Sequence, residues 1–172
     1  MDSGFPQPDV DPTPDLLIGA ALLAPGFCDD LSTWRLTVKV DGTVLQELHP
    51  TCVTLFYDTA CIHLRSWIGQ RRIDQIRGLA AEIGFTGFDG QYQAGCTDLE
   101  QTSITYNVGG GFKRVAVYGP HFLAHEGHRE IVGYARLWDL MLEISPYQST
   151  TAKVADESEI RRRLQSLLGS VQ

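Results

Sequence analysis

Three histidines lie close together in the segment "PHFLAHEGHRE", at positions His121, His125 and His128. Imidazole nitrogens are common ligands of zinc and of other divalent ions, and acidic residues stand among these histidines. The spacing differs from the H-E-x-x-H zinc motif, because Arg129 occupies the place of its second histidine. Two interpretations remain open, a metal site and a polar loop between a strand and a helix, and the pattern favours the loop.

A second group of candidate ligands consists of His49, Cys52, Cys61 and His63. Cys61 and His63 are two residues apart and would therefore share one face of a strand. Thiolates and imidazoles in this number are typical of tetrahedral zinc sites. The residues between them, however, are typical of a core strand, and a free cysteine behaves mostly as a small buried hydrophobe. We therefore expect no cofactor, and we keep metal binding as the alternative.

Other catalytic patterns are weaker still. Cys96 and Asp98 could join a histidine in a nucleophilic triad, but nothing in the sequence fixes such a geometry. The glycine run Gly109–Gly111 lies between two predicted strands, so no helix N-terminus follows it to hold a phosphate. We expect that the chain is not an enzyme.

The composition of the chain limits the classes of molecule that it could bind. The chain has 172 residues, of which 43% are hydrophobic, enough for one domain with a real core. Its formal net charge of −7 disfavours a nucleic-acid partner. The longest apolar segment, 16–27, is shorter than the ~20 residues of a membrane-spanning helix. These properties predict a cytoplasmic protein whose four cysteines are thiols, although export would permit two disulfides.

Two segments with alternating apolar residues predict β-hairpins that could carry these side chains. Residues 34–48 alternate around Asp41-Gly42, a pair typical of a type I′ turn. Residues 103–119 predict a second hairpin, which Gly109–Gly111 would close. Each hairpin precedes a segment with helical periodicity.

The two predicted helices differ in how much apolar surface they carry. The first, 71–85, has one apolar stripe and ends at Gly84. The second, 128–144, has two adjacent stripes, so it needs cover from another element. Two segments could supply that cover, 16–27 and a helix at the C-terminus.

Between the first hairpin and the first helix, the segment 50–69 is rich in β-branched and aromatic residues. It predicts one strand, or two strands that are interrupted near its middle. We assign Trp34, Trp67 and Trp138 to the core, because all three occur in periodic segments.

The C-terminal residues 156–172 predict a third helix. Asp156 and Glu159 resemble a capping box, and apolar residues follow at helical spacing. The central members of that apolar stripe are Ile160, Leu164, Leu167 and Leu168. Since a helix of this length is marginal alone in water, the stripe must be buried on the domain or on a partner. We predict that it binds another protein or a second copy of the chain.

These elements together predict an α+β fold. An antiparallel sheet of two hairpins would carry the helices on one face in a ββαββα-like order, with an appended C-terminal helix. We expect a disordered, acidic, proline-rich tail at 1–15, one domain at 16–145, a linker at 146–155 and the helix at 156–172.

The stretch 34–144 resembles a set of small bacterial domains, including the emfourin-like inhibitors of thermolysin-type peptidases and uncharacterised ββαββα families. The shared motifs are the Asp41-Gly42-Thr43 turn, the helix end at Gly84-Phe85, Asp98 before the second hairpin, and the V-x-V return at Val115 and Val117. This resemblance implies an inhibitory role but assigns no inhibitory residue. We therefore expect a non-enzymatic protein-binding module, either an accessory subunit or a peptidase-type inhibitor. The alternative is a metal-binding or metal-dependent protein.

Overall fold

One mixed sheet of seven strands organises the residues that this computed structural model describes, which are 9–23, 33–49 and 62–147. The strands are β1 (Leu16–Leu23), β2 (Thr33–Lys39), β3 (Thr43–His49), β4 (Ile62–Trp67), β5 (Gln91–Gln93), β6 (Gln101–Asn107) and β7 (Phe112–Tyr118). Their order across the sheet is β4-β3-β2-β1-β6-β7-β5. All neighbours are antiparallel except β5 and β7, which are parallel. The α+β class is as predicted.

The central strand is β1, which the sequence did not identify as a strand. It pairs on one side with the predicted hairpin β2–β3 and on the other with the predicted hairpin β6–β7. Both hairpins are present, but the two-hairpin ββαββα sheet was wrong because β1 separates them and β4 and β5 extend the sheet. A continuous apolar run is typical of a strand covered on both faces, and β1 is buried along nearly its whole length.

Helices follow β4 and the second hairpin, β6–β7. They are α1 (Gln70–Glu82), α2 (Pro120–His125) and α3 (Arg129–Ile144), with a 3₁₀ turn at Phe85–Gly87. The end of α1 is as predicted: Gly84 has a positive φ of 67°, a backbone conformation that glycine adopts without strain. The short helix α2 replaces part of the predicted histidine loop, and Pro120 occupies its first turn.

The sheet covers the aromatic part of α3. Trp138 stacks on Trp34 of β2 with 5.3 Å between ring centroids. The Tyr134 hydroxyl lies 2.9 Å from the Thr102 hydroxyl of β6, and burial raises the pKa of Tyr134. Both apolar stripes of α3 are buried; their members are Ile131, Tyr134, Leu137, Trp138, Leu140, Met141, Leu142 and Ile144.

The described part of the predicted tail, residues 9–15, packs on the sheet face opposite this aromatic core. Val10 is buried against β1, and a Cβ on Gly19 would lie only 2.6 Å from its Cβ. Asp9 forms an ion pair of 2.9 Å with Arg114, and Asp15 forms one of 2.7 Å with Lys39. This part of the tail is therefore ordered, contrary to the expectation for 1–15.

The chain leaves α3 through a contact with β3. The buried Gln46 side chain donates to the Tyr147 carbonyl at 3.0 Å, and the Tyr147 amide donates back at 2.7 Å. The predicted linker begins here. Most of it, and the predicted helix with Ile160, Leu164, Leu167 and Leu168, lies outside the described residues.

Candidate functional site: the outer face of β3 and β4

The sheet face that residues 9–15 partly cover, here called the outer face, is open over β3 and β4. Along β4, half-buried and exposed side chains alternate. The exposed ones, His63, Arg65 and Trp67, project onto the outer face, because the residues between them contribute to the core on the other side. Among the described residues β4 pairs only with β3, so it is an edge strand there.

Trp67 is the most exposed large hydrophobic residue in this part of the chain, with 69% of its surface accessible. Its indole is nevertheless held in place, because Nε1 donates to the Asp41 carbonyl at 3.1 Å. The ring therefore lies beside the β2–β3 turn, where Gly42 has φ +88°. A Cβ on Gly42 would lie 3.0 Å from the indole nitrogen and 2.3 Å from the Ile68 carbonyl oxygen.

One further apolar side chain lies near Trp67. Leu45 is 37% exposed, and its partner across the strands is Arg65, so it is the diagonal neighbour of Trp67 on the outer face. We call Leu45 and Trp67 the Trp67 patch.

Charged residues of both signs surround the patch. Arg35 of β2 lies 3.9 Å from Glu47 of β3, and Glu47 also faces His63 across the strands. Arg65 stands opposite Leu45 and forms no ion pair or hydrogen bond within the described ranges. Tryptophan and arginine are among the residue types that most often contribute the binding energy of protein interfaces.

Among the described residues, the histidines predicted as ligands do not gather with one another. His121 and His125 lie on α2 and His128 precedes α3, and all three side chains are exposed. His63 is exposed on β4, His49 ends β3, and Cys52 and Cys61 lie outside the described residues. Within the described ranges, no three His, Cys, Asp or Glu side chains gather as a candidate metal-binding group.

The candidate triad residues Cys96 and Asp98 occupy the loop before β6. Cys96 is half-buried with a free thiol, and Asp98 has a positive φ of 63°, which aspartate tolerates better than most residues. The polar contact of the Asp98 carboxylate is with the neighbouring Thr97 hydroxyl. No described histidine is hydrogen-bonded to either residue, so the structure assembles no triad here.

A cleft between the end of α1 and the start of α3 is the main alternative site. Phe88 lines it, and three of its charged side chains have partners: Arg136 donates to Glu82 at 2.8 Å, and Glu130 accepts from the Tyr92 hydroxyl. Burial, together with the hydrogen bond to Glu130, raises the pKa of Tyr92 to about 12. Since these three charged groups have partners and the largest apolar exposure in the described ranges is at Trp67, the outer face is the stronger candidate.

Sequence reasoning missed the patch by assigning Trp67 to the core. The assignment is correct for Trp34 and Trp138, which stack on each other, and wrong for Trp67. The signal was present, because His63 and Arg65 precede Trp67 at intervals of two and mark the polar face of a strand.

No model of a known protein family matches the chain, and a search of curated proteins found no match. None of the helices in the described ranges combines the length and the apolar character that crossing a membrane requires.

Proposed function

We propose that this chain is a non-enzymatic, cytoplasmic protein-binding module, acting as an accessory subunit of an assembly or as a proteinaceous inhibitor of the peptidase type. The observation that carries the proposal is the Trp67 patch, where a tryptophan is held by a hydrogen bond and still exposes 69% of its surface. Large apolar side chains that remain exposed together commonly mark a site of association.

Two physical features favour binding at this patch. The indole of Trp67 is already oriented by Asp41, so a partner would immobilise it at little cost in conformational entropy. Hot-spot tryptophans at interfaces typically contribute about 2 kcal/mol or more, which corresponds to about thirtyfold in affinity. A single such residue is enough to decide whether a complex forms.

The predicted C-terminal helix supplies a second proposed contact. Its stripe, Ile160, Leu164, Leu167 and Leu168, was expected to cover α3 or to bind a partner. One stripe of α3 contacts β2 and β6 through Trp138 and Tyr134. Since the sheet already covers that stripe, we propose a partner, or a second copy of the chain, as the target of the predicted helix.

The proposal is tested by capture of partners from the native source with tagged wild-type chain, Trp67→Ala and Phe122→Ala. Phe122 is the matched control, because it is also an exposed aromatic residue but lies on α2. We expect one protein to be recovered in stoichiometric amount by the wild type and by Phe122→Ala. Its purified form should bind Trp67→Ala about thirtyfold more weakly. Absence of any stoichiometric partner, or equal affinity of all three chains, would refute the proposed function.

A further inference from the structure

Within the described residues, the edge of β4 that faces away from β3 has a defined set of backbone groups. The Ile68 amide donates to the Gly42 carbonyl at 2.9 Å, which makes Gly42 and Ile68 a hydrogen-bonded pair across β3 and β4. Hydrogen-bonded and non-hydrogen-bonded pairs alternate along an antiparallel ladder. The amides and carbonyls of His63, Arg65 and Trp67 therefore point away from β3, towards the edge.

The side chains beside this edge differ between the two faces. On the outer face they are His63, Arg65 and Trp67, all exposed; on the other face, Ile62 and Leu64 are half-buried against the core. A strand added to the edge would place its own alternate side chains next to these two rows. Carboxylates suit the row with Arg65, which forms no ion pair within the described residues. Aliphatic side chains suit the row with Leu64.

A second copy of the chain fits this edge poorly in the register centred on Arg65. Antiparallel pairing there would place this arginine opposite its own copy. Like charges directly opposite each other destabilise a strand pair. Basic side chains at an exposed edge are one of the ways in which proteins avoid pairing with themselves.

We infer that the partner binds by adding an extended strand to the edge of β4. In this strand, acidic residues alternate with aliphatic ones. The inference rests on the proposed function. The backbone of His63, Arg65 and Trp67 provides the hydrogen bonds, and the Arg65 guanidinium selects the carboxylates. The Trp67 patch extends the contact beyond the strand.

The direct test uses a fluorescein-labelled peptide, Thr-Val-Glu-Val-Glu-Val-Thr, and a matched peptide with lysine in place of glutamate. We expect the acidic peptide to bind the full chain at least about tenfold more tightly than the lysine peptide in fluorescence anisotropy. Arg65→Glu should reverse the preference. Amide hydrogen exchange should slow at His63, Arg65 and Trp67 when the acidic peptide binds. Failure of the acidic peptide to bind, equal affinities, or unchanged exchange at these amides would overturn the inference.

A proline variant separates this inference from the proposed function. Arg65→Pro removes an amide that points to the edge and no amide that pairs with β3, so β4 should keep its place in the sheet. We expect this variant to lose the captured partner, whereas Arg65→Ala, which keeps the amide, retains part of the affinity. If Arg65→Pro keeps the partner while Trp67→Ala loses it, strand addition is wrong and the proposed function stands. A melting temperature close to that of the wild type confirms that the variant is folded.

Discussion

The two halves of the outer sheet face both carry basic side chains, but residues 9–15 cover only one of them. Over β1, β2 and β7, the segment 9–15 lies on the sheet and its carboxylates neutralise Lys39 and Arg114 at 2.7 and 2.9 Å. Over β3 and β4, the described residues provide no such cover, and Arg65 and Trp67 face outward.

The difference shows how one sheet can be partly core and partly interface. On the covered half, Val10 packs against the sheet and Asp9 pairs with Arg114, so this part of the face is internal. Where a fixed indole and a cation remain exposed, the same kind of face is available to another molecule. Substitutions on each half should therefore have different consequences.

The largest effect on stability is expected at the turn of the open half, for Gly42→Val. A β-branched residue at φ +88° is strained, and its Cβ would lie 2.3 Å from the Ile68 carbonyl oxygen. We expect the free energy of unfolding to fall by ~3 kcal/mol in urea denaturation. The matched control is Gly110→Val in the β6–β7 loop, where a Cβ meets nothing within 4 Å and φ is not positive. Equal losses in the two variants would contradict the assigned geometry of the turn.

The Gly19→Val substitution should displace the segment 9–15 from the covered half of the sheet. The new side chain would occupy the space of Val10, so the segment 9–15 must move away or the strand must shift. We expect a loss of ~2 kcal/mol in unfolding free energy, and faster cleavage of residues 9–15 in limited proteolysis. Gly78→Ala on α1 is the control, because a Cβ there meets nothing within 4 Å. Unchanged cleavage in Gly19→Val would show that the segment does not depend on this contact.

The smallest effect concerns the ion pair between Asp15 and Lys39. Hydrogen bonds from Lys39, and then from Thr13, hold the pKa of the Asp15 carboxyl below its ordinary value of 3.8. Because the pKa of Asp15 is lower in the folded state, the ion pair stabilises the fold at pH values above 3.8. This stabilisation is lost as the pH falls through the folded-state pKa. In Asp15→Asn, the free energy of unfolding should therefore fall slightly less steeply as the pH is lowered. The effect is small because exposed ion pairs contribute little to stability. A carboxyl NMR titration of Asp15 with a midpoint above 3.8 would contradict this assignment.

Local patterns in the sequence were sufficient to predict the two hairpins and the helices α1 and α3. Alternation, the Asp41-Gly42 pair and the helical stripes are each encoded within a few neighbouring residues. The position of β1 was missed because strand order depends on pairing between distant residues, and a short apolar run does not distinguish a buried strand from a buried helix. β5 has only three residues, too few for a pattern.

The site was predicted less well than the fold. Val10 is a single apolar residue among prolines and acids, so nothing local indicates that it fills the space above Gly19. Trp67 was assigned to the core because it occurs in a periodic segment, but periodicity alone does not show which face of a strand is buried. Which face of an edge strand remains open is decided by what the rest of the chain covers, and that is a property of the tertiary structure.

The most direct test of protein binding through the open half is a hydrogen-exchange map of the chain with and without its captured partner. We predict slower exchange at the amides of residues 40–45 and 62–67 in the complex, with residues 9–15 and β1 unchanged. Protection confined to α2, to the cleft beside Phe88, or to the covered half would contradict the account.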